Sequence, residues 1–152
     1  MTASLDDLLT EVRACRECAP HLTAGCRPVV QASTAARLLI VGQAPGRRVH
    51  ESGIPFDDPS GDRLRDWMGI DRQTFYNPAL VNIVPMGFCY PGTGKSGDLP
   101  PRPECAKLWR DRLMAQLTSV ELTLVIGTYA IEWHIGAAKR KTLTETVRGW
   151  HA

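Results

Sequence analysis

The chain of 152 residues has little net charge, no long apolar run, no internal repeat and no low-complexity segment. A formal net charge of +2 is too small to indicate a polyanionic partner by itself. No apolar run approaches the length that a membrane-spanning helix needs, so we expect no membrane partner. The start, MTASLDDLLTEVRAC, is acidic and helical in pattern, unlike a secretory signal. We therefore expect a cytoplasmic protein with one domain over residues 1–152.

Five cysteines are present in this otherwise ordinary composition. Cys15 and Cys18 form a C-x2-C pair, whereas Cys89 and Cys105 lie much later in the chain. In a reducing compartment such thiols are ligands or free side chains more often than disulfides. Two close and two distant thiolates can enclose a metal or an iron–sulfur cluster once the fold brings them together. Cysteine also serves as a small buried apolar residue, and the cysteines alone leave both interpretations open.

Short apolar runs alternate with helical patterns along the chain. Buried parallel strands are predicted at residues 36–42, 80–84 and 122–127, and helices at residues 5–14, 59–69, 103–117 and 128–136. Ser60 is the expected cap of the second helix, and Gly69 its expected end. This alternation predicts an α/β domain, a three-layer αβα sandwich with a central parallel sheet.

In such sheets, chemistry collects where loops leave the carboxyl ends of the strands. The loop after the first strand has Gly42 and Gly46 for a tight turn, with Pro45 to stiffen it. Gln43 offers both a donor and an acceptor, and Phe56 offers an aromatic floor for a planar ligand. A purely structural turn with Phe56 in the core explains the same residues about equally well.

The segment PGTGKSG at residues 91–97 is similar to the end of a phosphate-binding loop. That motif needs a glycine where Cys89 stands, and a helix directly after the lysine. The residues that follow, GDLPPRP, do not start a helix. A P-loop nucleotide-binding protein is therefore the less favoured alternative.

The segment from Gly42 to Phe56, GQAPG then a six-residue spacer then GIPF, resembles the first motif of the uracil-DNA glycosylase superfamily. The four cysteines match the spacing of its iron–sulfur (family 4) branch. The resemblance implies a uracil-DNA glycosylase-like fold and a base-excision repair enzyme that hydrolyses uracil from DNA. It also implies that Cys15, Cys18, Cys89 and Cys105 hold a 4Fe-4S cluster, with Zn as the alternative. Cys26 has no place in that pattern.

The same resemblance implies roles for individual residues. Phe56 would stack on uracil, and Asn82 would read the edge of the base with its amide. The loop residues Gly42, Gln43, Ala44, Pro45 and Gly46 would contact the base and position the attacking water. Arg47, Arg48 and Lys95 would meet phosphates of uracil-containing DNA, and the protein would act as a monomer.

The chain departs from the family pattern in three places. Gln43 replaces the usual glutamate, so this side chain can orient a water but cannot act as a base. Asn82 lies further from Cys89 than the family's usual spacing. The sequence stops at His151 and Ala152 without a second motif, His-Pro-Ser, so we expect a C-terminally incomplete domain with an exposed strand edge. A non-catalytic nucleic-acid-binding member of the superfamily is therefore the alternative function.

Overall fold

The central sheet has three parallel strands, β1 (Leu38–Val41), β2 (Val81–Ile83) and β5 (Leu122–Val125), in the order β2-β1-β5. The computed structural model describes residues 4–136 and 142–149. In the middle strand, Leu38 is paired with Val81 on one side and with Leu122 on the other. The predicted α/β class with a central parallel sheet is confirmed.

Helices surround this sheet. They are α1 (Leu5–Arg13), α2 (Arg47–Ser52), α3 (Pro59–Met68), α4 (Arg72–Phe75), α5 (Pro103–Cys105), α6 (Asp111–Gln116), α7 (Thr128–Ile135) and α8 (Leu143–Arg148). A short 3-10 turn covers Ala19–His21, and a π-helical segment, Ala106–Arg110, joins α5 to α6. Within the described residues, no helix is long and apolar enough to cross a membrane.

Two apolar cores cover the two faces of the sheet. The first joins α1 to β1 and α6, with Val12, Val41 and Leu113 fully buried. The second joins Ile40 and Ile83 to Phe75 and to side chains of α3. Since successive strand residues point to opposite faces, Leu39 and Ile40 enter different cores. The result is the predicted sheet between two helical layers.

The prediction that Ser60 caps α3 is wrong. Asp58 is the cap, and its carboxylate accepts a hydrogen bond of 2.8 Å from the Gly61 main-chain N–H. Pro59 takes the first helical position, where its fixed backbone angle suits the helix, so the cap must precede it. Gly69 ends the helix in the left-handed conformation, with φ of 70°, as predicted.

The third predicted strand is not buried. Strand β5 lies at the edge of the sheet, and its first residue, Leu122, is 58% exposed. Within the described residues, its outer edge has no neighbouring strand. Its apolar side chains are therefore only partly buried. Among the described residues, β5 is therefore the last strand on this side of the sheet.

The predicted long loop after β2 contains a small hairpin, β3 (Thr93–Gly94) and β4 (Gly97–Asp98), paired antiparallel. Lys95 and Ser96 form the turn of this hairpin, and no helix follows them. A phosphate-binding loop needs that helix, so the P-loop interpretation fails on structure as well as on sequence.

Candidate functional site

A pocket of about 250 Å³ opens at the carboxyl ends of β1, β2 and β5. We call it the strand-end pocket. Its lining includes the predicted Gly42, Gln43, Ala44, Pro45 and Phe56. Gly46 lies beside it as the N-cap of α2. The structure therefore brings the residues of the first motif together at the place where parallel sheets put their ligands.

Main-chain hydrogen bonds hold the motif loop in place. The Met86 N–H donates to the Gly42 carbonyl and the Gly87 N–H to the Gln43 carbonyl, each at 2.9 Å. On the other side, the Ile126 N–H donates to the Val41 carbonyl at 2.9 Å. These bonds extend the sheet ladder beyond the strand ends, so the shape of the loop depends little on its side chains.

Phe56 forms an aromatic wall of the strand-end pocket in an unusual backbone conformation. It has φ of 57°, a left-handed value that is uncommon for a bulky residue. A Cβ atom at Gly42 would lie 3.2 Å from the Phe56 ring, so the glycine gives the ring its space. The ring meets Phe75 edge-on, with a centroid distance of 6.0 Å. Phe56 is therefore held at the boundary between core and pocket.

A buried arginine stabilises this conformation. The Arg65 Nη1 donates to the Phe56 carbonyl at 3.1 Å and to the Tyr76 hydroxyl at 3.0 Å. That hydroxyl in turn donates to the Pro55 carbonyl at 2.7 Å. Burial raises the pKa of Tyr76, which keeps the hydroxyl protonated as a donor. A Cβ atom at Gly61 would lie only 1.7 Å from the Phe56 carbonyl oxygen.

Sequence reasoning missed Arg65, although a signal was available. Gly61, Leu64, Arg65 and Met68 occupy the inward stripe of α3, and an arginine in such a stripe is unusual. The side chain is buried, with only 4% exposure, and it pairs with Asp62 at 2.7 Å. A buried arginine needs acceptors, and here they are the carbonyl and hydroxyl groups behind Phe56.

Sequence reasoning also missed Asp58, which lines the strand-end pocket. Its Oδ1 accepts from the Gly61 N–H and from the Ser60 hydroxyl, both at 2.8 Å. Among the lining residues, Asp58 is the one with a charged side chain.

The structure places the predicted Asn82 outside the lining of the strand-end pocket. Asn82 pairs with Leu39 in the sheet, so it points to the face opposite Ile83, which lines the strand-end pocket. Its side chain is fully buried. Its Oδ1 accepts from the Ser33 N–H at 2.9 Å, and its Nδ2 donates to the Ala36 carbonyl at 3.4 Å. The amide is therefore used to hold the segment before β1.

A second pocket gathers the cysteines, and we call it the cysteine pocket. Cys15, Cys18, Cys89 and Cys105 all line it, together with apolar side chains such as Phe88 and Trp109. Burial raises the pKa of Cys105 to about 12, and the neighbouring cysteines contribute to the same shift. The Phe88 N–H donates to the Cys105 sulfur at 3.3 Å. The two distant halves of the cysteine pattern therefore meet in the fold.

The cysteine pocket offers four thiol side chains, a donor set that both zinc and iron–sulfur clusters use. Four thiolates on one zinc lie about 3.8 Å apart, as tetrahedral bonds of roughly 2.3 Å require. Among the described residues, no group of three or more potential ligands is placed to hold one metal ion. In a 4Fe-4S cluster each cysteine binds a different iron, so the sulfurs stand further apart around an apolar pocket. The donor set of four thiols is the one such a cluster uses.

Cys26 lies in the same pocket, although the sequence pattern gave it no place there. Burial raises the pKa of Cys89 to about 11, against the opposing effect of the Arg27 main-chain N–H. Cys26 raises the same pKa more than Cys15 or Cys18 does. Spacing could not have found Cys26, because its position depends on the path of the chain between Leu22 and Val29.

Arg27 connects the two pockets. Its guanidinium Nη1 donates to the His50 carbonyl at 2.8 Å and to the Glu51 carbonyl at 2.7 Å, both on α2. The His50 Nε2 is 3.1 Å from the Ala24 carbonyl oxygen. The segment that carries Cys26 is therefore fastened to the helix that begins directly after the motif loop.

The predicted phosphate contacts are exposed side chains outside the lining of the strand-end pocket. Arg47 and Arg48 are exposed in the first turn of α2, and Arg47 pairs with Glu51 at 3.6 Å. Lys95 is exposed in the hairpin turn. A Cβ atom at Gly46 would lie 3.6 Å from the Asp98 carboxylate, so the hairpin stands beside the start of α2. His151, which received no role, lies outside the described residues.

Comparison with known proteins identifies the family of the chain. The sequence profile of the uracil DNA glycosylase superfamily matches residues 29–151. The chain is similar to a type-4 uracil-DNA glycosylase from Archaeoglobus fulgidus, with 27% identity over 135 residues. The aligned region covers 86% of this chain and 63% of that relative, so the chain spans about 63% of the length of its curated relative.

Proposed function

Because the chain belongs to the uracil-DNA glycosylase superfamily, we propose that it excises uracil from DNA in base-excision repair. The supporting observation is the strand-end pocket, in which the motif loop and Phe56 line one cavity. The curated relative is named for this activity. The reaction would be hydrolysis of the N-glycosidic bond between uracil and deoxyribose.

The base must leave the duplex to reach such a pocket, because the scissile bond is hidden inside the helix. In our proposal uracil enters the strand-end pocket and stacks on the Phe56 ring. The Gly42, Ala44 and Pro45 backbone lies along the base. Since Asn82 points away, the edge of the base is read by groups of the motif loop, including the Gln43 amide, which can both donate and accept.

Bond cleavage leaves the electron pair on the uracil ring and a positive charge on the sugar. Water then adds its oxygen to C1′ and loses a proton, which balances the reaction. Gln43 would hold this water by a hydrogen bond without removing its proton. Orientation suffices where the sugar cation forms before water attacks, since a cation needs no strongly basic nucleophile. Donors aimed at the departing uracil oxygen would lower the barrier further.

The four thiols Cys15, Cys18, Cys89 and Cys105 would hold a 4Fe-4S cluster, with Zn as the alternative. The cluster would supply a structural crosslink, because hydrolysis of an N-glycosidic bond transfers no electrons. These residues would thereby tie the segment after α1 to the long loop after β2. Thiolate ligands and a DNA substrate both suit a reducing cytoplasm, where we place the protein.

Arg47, Arg48 and Lys95 would contact phosphates on either side of the flipped nucleotide. Their exposure supports this role, as does the position of Arg47 and Arg48 in the helix that follows the motif loop. Such contacts position the protein without reading sequence, and they weaken as salt rises. We propose that a monomer binds the DNA.

The test is release of uracil from an oligonucleotide that carries one deoxyuridine, with a deoxythymidine oligonucleotide as control. We expect uracil release by the wild type and loss of most of it in Phe56→Ala. Gln43 favours one second candidate, a member that binds DNA without cutting it, because it lacks a basic group. Salt-sensitive binding of the same oligonucleotide with no base release would support that candidate and contradict ours.

A further inference from the structure

Asp58 places an uncompensated negative charge in the strand-end pocket. Its two neighbouring carboxylates are each paired with an arginine. Asp57 lies 3.2 Å from Arg72, and Asp62 lies 2.7 Å from Arg65. Among the described residues, no cationic group lies within ion-pair distance of Asp58, which lines the pocket instead. The charge of Asp58 is therefore available to a bound molecule.

The hydrogen bonds of Asp58 use one carboxylate oxygen and leave the other, Oδ2, for a bound molecule. As the N-cap of α3 it uses Oδ1 for both the Gly61 N–H and the Ser60 hydroxyl. These bonds fix the carboxylate in position, and Oδ2 takes no part in them. Because the cap is rigid and belongs to the turn after Phe56, the charge and the aromatic wall are held together.

We propose that Asp58 is a catalytic residue, whose carboxylate stabilises the sugar cation and accepts the proton of the attacking water. This inference rests on the proposed function. As the C1′–N1 bond breaks, uracil leaves with the electron pair and the sugar becomes positive. The water oxygen bonds to C1′, and its proton passes to Asp58 Oδ2 and then to solvent. A fixed carboxylate in a pocket with no cation partner stabilises such a charge far better than water does.

This proposal explains how the site can work with a neutral Gln43. The loop position orients the water, and the charge comes from Asp58 at the start of α3. The opposing interpretation is that Asp58 merely caps the helix. Asp71 does the same at α4, where its carboxylate accepts from the Thr74 N–H at 2.8 Å. Asp71 is not among the lining residues of the strand-end pocket, which makes it a matched control.

The experiment compares Asp58→Asn with Asp71→Asn. Asparagine caps a helix as well as aspartate, so both variants should fold, which the thermal unfolding midpoint checks. We expect Asp58→Asn to slow uracil release in a single turnover by roughly 100-fold, the usual effect of losing one such charge. KM should change little, and Asp71→Asn should match the wild type. A rate for Asp58→Asn within threefold of an active wild type overturns the proposal, as does an equal loss in both variants.

A binding measurement separates this inference from the proposed function. The probe is an oligonucleotide with a cationic pyrrolidine in place of the sugar, compared with one that carries a neutral tetrahydrofuran. We expect the wild type to bind the cationic oligonucleotide more tightly than the neutral one. In Asp58→Asn the ratio of the two affinities should fall about tenfold. If the wild type releases no uracil yet shows this preference, the proposed function is wrong, whereas the inference that the Asp58 carboxylate stabilises a cation in the pocket is supported. An equal preference in both proteins overturns the inference even where uracil is released.

Discussion

The strand-end pocket and the cysteine pocket lie on either side of the segment that contains Arg27, yet they are built differently. The strand-end pocket comes mostly from one stretch of chain between Gly42 and Gly61, shaped by main-chain hydrogen bonds. The cysteine pocket comes from side chains far apart in sequence, such as Cys15 and Cys105. One is a local structure completed by the fold, and the other exists only after the fold has formed.

This difference teaches how each pocket should respond to substitution. Where main-chain hydrogen bonds determine the shape of a pocket, substituting a side chain changes the pocket gradually, unless the new side chain clashes with the backbone. Where four side chains share one ligand, losing one of them removes the binding of the whole group. We therefore expect all-or-none effects in the cysteine pocket and graded effects in the strand-end pocket.

The largest effect is expected from Cys105→Ala. Anaerobically purified wild type should contain about four irons per chain with broad absorbance near ~400 nm, as a 4Fe-4S cluster requires. The variant should contain less than about one iron, because three thiolates hold the cluster weakly. Cys26→Ala is the matched control in the same pocket, and it should keep the iron of the wild type. Iron loss in Cys26→Ala equal to that in Cys105→Ala would show that the ligand set is wrong.

The next effect is expected from Gly61→Ala, the one substitution that should make the strand-end pocket fail abruptly. The new Cβ would meet the Phe56 carbonyl at 1.7 Å, so α3 or Phe56 must move. We expect a loss of about 3 kcal/mol in the free energy of unfolding, as for a severe overpacking, and little uracil release. Denaturant unfolding measures the first and the deoxyuridine oligonucleotide the second.

The control for this change is Gly136→Ala, where the new Cβ meets nothing within 4 Å and φ is helical. It should change the free energy of unfolding by less than about 1 kcal/mol. Should Gly61→Ala behave in the same way, the close approach of α3 to Phe56 is absent in solution.

A graded effect is expected from Tyr76→Phe, which removes one hydroxyl behind Phe56. The hydroxyl accepts from Arg65 and donates to the Pro55 carbonyl, so two hydrogen bonds are lost. We expect about 1–2 kcal/mol less stability and a several-fold slower uracil release. Tyr129→Phe on the exposed surface of α7 is the control and should alter neither quantity. Unchanged release in Tyr76→Phe would mean that Phe56 holds its place without this support.

The smallest effect concerns the pH dependence of stability. Burial, followed by the nearby Arg110 charge, lowers the pKa of His134 to about 4. The unfolded chain takes up this proton near pH 6.5, so the unfolded state binds more protons between pH 6.5 and 4. The contribution of His134 to the free energy of unfolding should therefore be constant above pH 6.5. It should fall as the pH drops towards 4.

Chemical denaturation at several pH values checks this prediction. His134→Gln keeps an acceptor for the Arg110 Nη2, which lies 2.8 Å from the histidine Nε2, and it should flatten the pH dependence. An identical slope in His134→Gln and the wild type would mean that another group causes the loss.

The sequence predicted those parts of the molecule that local rules determine. The β1 run and its glycine loop followed from a buried strand and from φ-tolerant residues, and the pocket formed where parallel strands end. The cap of α3 was also within reach, since Pro59 at the first helical position puts the cap at Asp58. Ser60 follows Pro59 and therefore lies inside the first turn of the helix.

Other features depend on neighbours that a single sequence does not name. The apolar run of β5 has the composition of a central strand, yet it lies at the edge because strand order is a property of the whole sheet. Asn82 faces away from the pocket because one step along a strand reverses the face. Cys26 joins the cysteine pocket through the path of a loop, which no spacing rule describes.

The π-helical segment Ala106–Arg110 lies between the two pockets. Cys105, just before it, lines the cysteine pocket, and Arg110, at its end, contacts a residue of the strand-end pocket. Residues five apart in an α-helix point about 140° away from each other, whereas a π turn joins residues i and i+5 by a main-chain hydrogen bond. Cys105 and Arg110 are five residues apart, and the Cys105 charge partly opposes the lowering of the Arg110 pKa by burial. Arg110 in turn donates to the Pro85 carbonyl, a wall of the strand-end pocket. Deleting one residue here, such as Lys107, would convert the segment to a regular α-helix. The directions of Cys105 and Arg110 relative to each other would then change.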